Sequence, residues 1–192
     1  MVNDLLQYLN HHGINQCVVL GHSMGGKTAM AFALQYPDRV RKLIIADIAP
    51  KYYAPHHQQI LAGLSTLNLQ EVSSRKAAAE HLENFIPEAG TRQFLLKNLY
   101  WVSEGKFGLR TNIAVLKNAT EAIGAAIQSQ NQYHQPTLFL YGENSNYINP
   151  KTDTEILQYF PKAEIIEIKG AGHWLHAEQP LLFFKILTQW LR

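Results

Sequence analysis

Residues 21 to 25 read Gly21-His22-Ser23-Met24-Gly25, set between the apolar run Cys17-Val18-Val19-Leu20 and a helical pattern that begins at Gly26. A serine placed where a strand turns sharply into a helix is what a nucleophile elbow requires. The strained turn lifts the hydroxyl clear of the sheet, and small residues at 21 and 25 let the backbone approach its neighbours without a Cβ clash. Ser23 is the expected nucleophile, and the chain around it must supply a strand with a helix laid back upon it.

A serine hydroxyl is a weak nucleophile at neutral pH, so Ser23 needs a general base and a group that orients that base. Gly170-Ala171-Gly172-His173-Trp174 follows the alternating stretch Ala163-Glu164-Ile165-Ile166-Glu167-Ile168, which places His173 on a loop just after a strand. Asp47 ends the run Val40-Arg41-Lys42-Leu43-Ile44-Ile45-Ala46 and so stands at the tip of another strand. Sites in open parallel sheets form outside the carboxyl ends of the strands. The chain order is Ser23, Asp47, His173.

Four motifs share that order: Gly-His-Ser-Met-Gly-Gly-Lys at 21–27, Ala46-Asp47-Ile48-Ala49-Pro50, Gly142-Glu143-Asn144-Ser145, and Gly170-Ala171-Gly172-His173-Trp174-Leu175-His176-Ala177-Glu178. Together they resemble the YbfF-like esterases of the α/β-hydrolase superfamily, and the resemblance runs through nearly the whole chain. It implies a serine hydrolase of small carboxylic esters and acyl thioesters that uses no cofactor. Most of the superfamily carries its acid after the next strand, Pro136-Thr137-Leu138-Phe139-Leu140-Tyr141, where this chain has Ser145. The resemblance moves the acid to the preceding strand end, which Asp47 occupies; Glu143 is the reserve and Asp153 the third choice.

In this superfamily the oxyanion hole takes one backbone N–H from the residue after the nucleophile, here Met24, and another from a loop after the third strand. No such loop precedes Ser23. The chain opens instead on Val2, Leu5, Leu6 and Leu9, an apolar stripe of helical period stopped by His12-Gly13. Losing one oxyanion donor costs about 10²–10³ in kcat. The strand ending at Leu20 is also expected to become an exposed apolar edge, which invites pairing with another chain. The expectation is an N-terminally truncated hydrolase fold whose Met1 is internal to a longer gene. The alternatives are a homodimer through the edge strand and a catalytically impaired fragment or interaction module that retains Ser23, Asp47 and His173.

The 192 residues are 46% hydrophobic, enough for a sizeable core, and the net charge of +2 argues against nucleic acid or an anionic membrane as partner. Cys17 is the one cysteine, which excludes an internal disulfide and points to a reducing, cytoplasmic compartment. No apolar run is long enough to span a bilayer. The adjacent pairs His11-His12 and His56-His57 do not have metal-ligand spacing, so no metal is expected.

Strands alternate with helices at 1–50 and 135–192, predicting a mostly parallel sheet flanked by helices. Residues 51–134 show helical spacing, as at Ser74 to Phe85 and Thr91 to Tyr100, and are read as a helical cap inserted between sheet strands and covering Ser23. Tyr52, Phe85, Phe94, Leu95 and Trp101 are the expected pocket residues. One formal competitor remains: Gly21-x-x-x-x-Gly26-Lys27-Thr28 matches a phosphate-binding loop, in which Lys27 and Thr28 would hold nucleotide phosphates and Mg²⁺. That reading leaves Ser23 and His173 without a task.

Overall fold

A computed structural model describes residues 1–55 and 57–192; His56, half of one histidine pair noted above, lies outside the described residues. In chain order the elements are α1 (Val2–His11), β1 (Cys17–His22), α2 (Met24–Gln35), β2 (Val40–Ala46), α3 (Gln58–Ser65), α4 (Arg75–Glu83), α5 (Ala89–Leu96), β3 (Leu99–Ser103), β4 (Lys106–Leu109), α6 (Ile113–Asn118), α7 (Thr120–Gly124), β5 (Thr137–Gly142), α8 (Glu155–Tyr159), β6 (Ala163–Ile168), α9 (Leu175–Glu178) and α10 (Pro180–Leu191). They form two compact units, Met1–Tyr52 with Ala125–Arg192, and Tyr53–Gly124. Residues 125–134, read from sequence as part of the insertion, group with the first unit. The buried Tyr133 helps hold them there, its hydroxyl donating to Val40 O at 2.9 Å.

The first unit is built on a parallel sheet of order β1-β2-β5-β6. Successive side chains of a strand point to opposite faces. Ile44, Ala46, Leu138, Leu140 and Ile168 therefore share one face, where they pack with Leu182, Phe183, Ile186, Leu187 and Trp190 of α10. Ile45 points the other way, toward α2, and Phe139 meets Phe160 with ring centroids 5.6 Å apart. Covering both faces explains why Leu43-Ile44-Ile45-Ala46 of β2 and Leu138-Phe139-Leu140 of β5 read as continuous apolar runs instead of alternating patterns. Strand β1 lies at one edge of this sheet, and Leu20 on it is 46% exposed.

Helix ends follow local chemistry. Pro180 occupies the first turn of α10, where its missing N–H is not needed. Ser74 caps α4, its hydroxyl accepting from Ala77 N–H at 3.0 Å. Thr91, of a residue type that often caps helices, lies inside α5, which starts after Glu88. Helix α8 starts after Thr154, and the Asp153 carboxylate is held by Lys51 Nζ and Asn149 N–H.

The second unit packs around Leu61, Leu64, Leu82, Ile86, Leu99 and Phe107 among others. It is not wholly helical: β3 and β4 form an antiparallel hairpin where sequence spacing predicted a helix running on to Tyr100. The run Tyr100-Trp101-Val102 is aromatic and β-branched and reaches a turn at Gly105, whose φ of +71° suits glycine. Trp101 then stacks on Phe107 across the hairpin, with centroids 3.9 Å apart.

Phe32 of α2 is fully buried in the first unit. Phe32→Ala is expected to lower unfolding stability by about 3–5 kcal/mol, read as a lower urea midpoint with an unchanged slope; a loss under ~1 kcal/mol would show that this face of the sheet repacks freely.

Candidate active site

The strands are paired so that β1 and β2 end level, His22 opposite Ala46; Ala46 lies opposite Leu140, and β5 and β6 run on to end level at Gly142 opposite Ile168. Each chain then leaves the sheet within a few residues of its neighbours. Ser23 N–H donates to Ala46 O at 3.0 Å and Asp47 N–H to Leu140 O at 2.8 Å, carrying the ladder one residue past each strand. At that point both backbones turn into positive φ, 53° at Ser23 and 52° at Asp47. This conformation is uncommon for residues with a Cβ and persists only where surrounding bonds over-determine it.

The elbow turn is tight enough to exclude a side chain at two positions. A Cβ on Gly21 would lie 2.3 Å from Gly25 O, and one on Gly26 would lie 2.4 Å from Ile48 Cγ2. At Gly25, where the sequence suggested the same demand, a Cβ would meet no described atom within 4 Å. The steric requirement thus falls on Gly21 and Gly26. From there α2 runs on, with Gly26 and Lys27 N–H donating to Ser23 O.

The three residues singled out by motif come together. His173 Nε2 lies 3.1 Å from Ser23 Oγ, and His173 Nδ1 lies 2.7 Å from Asp47 Oδ2. An ionised carboxylate can only accept, so Nδ1 carries the proton and Nε2 presents its lone pair to the serine hydroxyl. Asp47 is fully buried, and its charge is met by Gly142 N–H at 3.2 Å on Oδ1 and by the Ser145 hydroxyl on Oδ2. Buried charges need such partners. Ser145, which stands where the superfamily's usual acid was expected, is thus a donor to the acid that moved.

Three further residues fasten His173; His22 and Glu178 lie inside the motifs quoted above, while Tyr147 lies outside them. Tyr147 stacks on its ring with centroids 4.0 Å apart and planes at 18°. His22 Nε2 lies 2.8 Å from His173 O; a carbonyl only accepts, so Nε2 is the donor. The Glu178 carboxylate accepts from the N–H groups on either side of the histidine, Gly172 at 2.7 Å and Trp174 at 3.1 Å. His22 adjoins the nucleophile and could have been flagged by position. Glu178 closes the motif that contains the histidine and bonds within it, whereas nothing local marks Tyr147, whose stacking exists only once the loops meet.

The reserve acids are engaged elsewhere. Glu143 accepts from Gly170 N–H at 2.8 Å and pairs with Lys169 at 3.1 Å, contacts that hold its carboxyl below the usual range. Asp153 is buried against Lys51. Met24 opens α2 directly after Ser23, with its N–H at the helix N-terminus. Of the expected pocket residues, Phe85 and Leu95 pack against the core of the second unit, Phe94 and Trp101 are 39% and 55% exposed on that unit, and Tyr52 is 54% exposed on the first. Among the described residues no group of three or more His, Cys, Asp and Glu is placed to hold a metal ion, and no helix is long and apolar enough to cross a membrane.

Comparison with known proteins identifies the fold family. The sequence profile described as alpha/beta hydrolase fold matches residues 1–180. The chain is 40% identical to the mouse sn-1-specific diacylglycerol lipase ABHD11 over 100% of its own length and 64% of that protein. It is 33% identical to Esterase YbfF of Escherichia coli, over 100% of its length and 73% of the esterase. Among solved structures, a marine microorganism esterase superposes with a TM-score of 0.94 at 37% identity, covering 98% of this chain and 75% of that one. The chain spans between 58% and 64% of the length of the mouse, zebrafish and Xenopus lipases that it matches.

Burial lowers the pKa of His22 below its ordinary 6.5. The unfolded imidazole therefore takes up a proton first, so this residue's contribution is present above that value and is lost as pH falls through the folded one. His22→Gln keeps an N–H donor for His173 O and removes the titration. Its melting temperature is expected to fall less than the parent's between neutral and mildly acidic pH, as measured by calorimetry; parallel curves would mean that His22 does not titrate differently on folding.

Proposed function

Because the chain belongs to the alpha/beta hydrolase family, we propose that it is a serine hydrolase cleaving small carboxylic esters or acyl thioesters through an acyl-enzyme on Ser23. The observation that carries this reading is the unbroken line of contacts from Ser23 Oγ through His173 to the buried Asp47. The esterase and lipase names of its relatives support the ester class.

In the proposed mechanism His173 Nε2 takes the Ser23 proton as Oγ attacks the carbonyl carbon. The carbonyl electrons move onto oxygen, and Met24 N–H stabilises that oxyanion. Asp47 holds the Nδ1–H tautomer and balances the imidazolium. The imidazolium gives its proton to the departing alcohol or thiol, leaving the acyl group on Ser23. Water, deprotonated by the same imidazole, releases the acid and restores the serine. Ser145 keeps Asp47 Oδ2 turned toward His173, and Glu178 holds the backbone on both sides of the base. Every atom transferred comes from substrate, water or these side chains, so the proposal includes no cofactor.

Hydrolysis of p-nitrophenyl butyrate by the purified chain beside its Ser23→Ala variant tests the reading. Turnover confined to the parent chain, with fluorophosphonate labelling lost in the variant, is the expected result; equal rates would remove Ser23 as nucleophile. Asp47→Asn is expected to lower kcat by about 10⁴ through the wrong histidine tautomer. Ser145→Ala removes one charge-assisted bond and is expected to cost roughly 10- to 100-fold. An unchanged rate in Asp47→Asn would assign the orienting role elsewhere.

A further inference from the structure

The hydrolase reading leaves the pattern Gly21-x-x-x-x-Gly26-Lys27-Thr28 without a task for its lysine. Lys27 sits in the first turn of α2, directly after the elbow, yet it is only 7% exposed, and burial pulls its ammonium down to about 8. Such a group must find acceptors inside the protein. Its Nζ donates to two backbone carbonyls, Lys51 O at 2.5 Å and Ala125 O at 2.7 Å.

Those carbonyls mark the two places where the chain crosses between units. It leaves the first unit after Tyr52 and re-enters it at Ala125. The crossings are also joined by backbone bonds, Ile127 N–H to Pro50 O at 2.7 Å and Tyr53 N–H to Gly124 O at 2.8 Å. They run so close that a Cβ on Gly124 would lie 2.1 Å from Tyr53 O. The outgoing crossing is anchored a second time: Lys51 Nζ donates to both carboxylate oxygens of the buried Asp153, at 2.8 and 2.9 Å, and Asn149 N–H donates to Asp153 Oδ2 at 2.8 Å. One ammonium shared by two carbonyls offsets the repulsion between their oxygens and ties both crossings to the helix that carries the elbow.

We propose that Lys27 is a positioning residue that clamps the two crossings together on the first unit, so fixing the tether points of Tyr53–Gly124, and that it is not a phosphate ligand. The clamp needs no ester turnover, so it stands or falls separately from the hydrolase reading.

Hydrogen exchange followed by mass spectrometry tests it. Lys27→Met is compared with Tyr133→Phe, which deletes a different buried bond, that to Val40 O. In Lys27→Met the peptides holding Tyr53 and Ile127 N–H are expected to exchange roughly 10- to 100-fold faster, the loss of a bond to a charged group, while those of β5 keep the parent rate. Tyr133→Phe is expected to leave the crossing peptides unchanged. Parent rates at the crossings in Lys27→Met, or an equal rise throughout both variants, would overturn the proposal. A measurement on the unsubstituted protein covers a variant that does not fold. The Lys27 ammonium is expected to give a slowly exchanging ¹⁵Nζ signal that Mg²⁺–ATP does not move. A fast-exchanging ammonium, or one shifted by the nucleotide, would overturn the clamp.

Discussion

The parallel register that brings the carboxyl ends of β1, β2, β5 and β6 close together is the constraint on which every contact of the candidate site rests. Side chains alternate along a strand, so a one-residue slip of β2 would carry the Ala46-Asp47 end out of step and turn its residues to the opposite face. The bonds from Ser23 N–H to Ala46 O and from Asp47 N–H to Leu140 O are the last rungs of the same ladder. They hold two residues at positive φ, each of which costs about 1–3 kcal/mol. The burial of β2 and β5 on both faces is what offsets that cost.

Asp47 illustrates how a buried carboxylate is accommodated at a strand end. Asp47 has no exposure to water, and its carboxylate is met instead by Gly142 N–H, the Ser145 hydroxyl and His173 Nδ1. Two of these donors come from the end of β5 and the loop after it, the strand end at which related folds carry the acid itself. The hydroxyl at 145 cannot balance an imidazolium, but it can orient the group that does. One electrostatic assembly is thereby spread over two strand ends. His173 is steadied by the stacked ring of Tyr147, by the bond from His22 to its carbonyl and by the Glu178 carboxylate that spans its flanking amides.

Much of this was legible in the sequence because it is local. The elbow and the strands at 40–46 and 163–168 each follow from residues close to one another in the chain. Other elements are not local. Short apolar runs fit either period, so the spacing up to Tyr100 predicts helix where β3 begins, and the aromatic cross-strand stack lies outside any sequence window. Nothing near residues 125–134 shows that Tyr133 reaches Val40, so the sequence groups them with the insertion.

From the sequence alone come the sharp turn at Ser23, the chain order of Ser23, Asp47 and His173, and the alternation of strands and helices, since spacing and turn chemistry encode them. Which carboxylate meets His173 was decided by tertiary structure, which sends Glu143 to Gly170 and Asp153 to Lys51 and leaves Asp47 at the ring. It also decided the partners of Lys27, whose motif has the form of a phosphate loop but whose ammonium is held by two carbonyls 24 and 98 residues away. The physical reason is the same in both cases: a buried charge takes whichever partners the folded chain brings within reach, and sequence spacing does not record that distance.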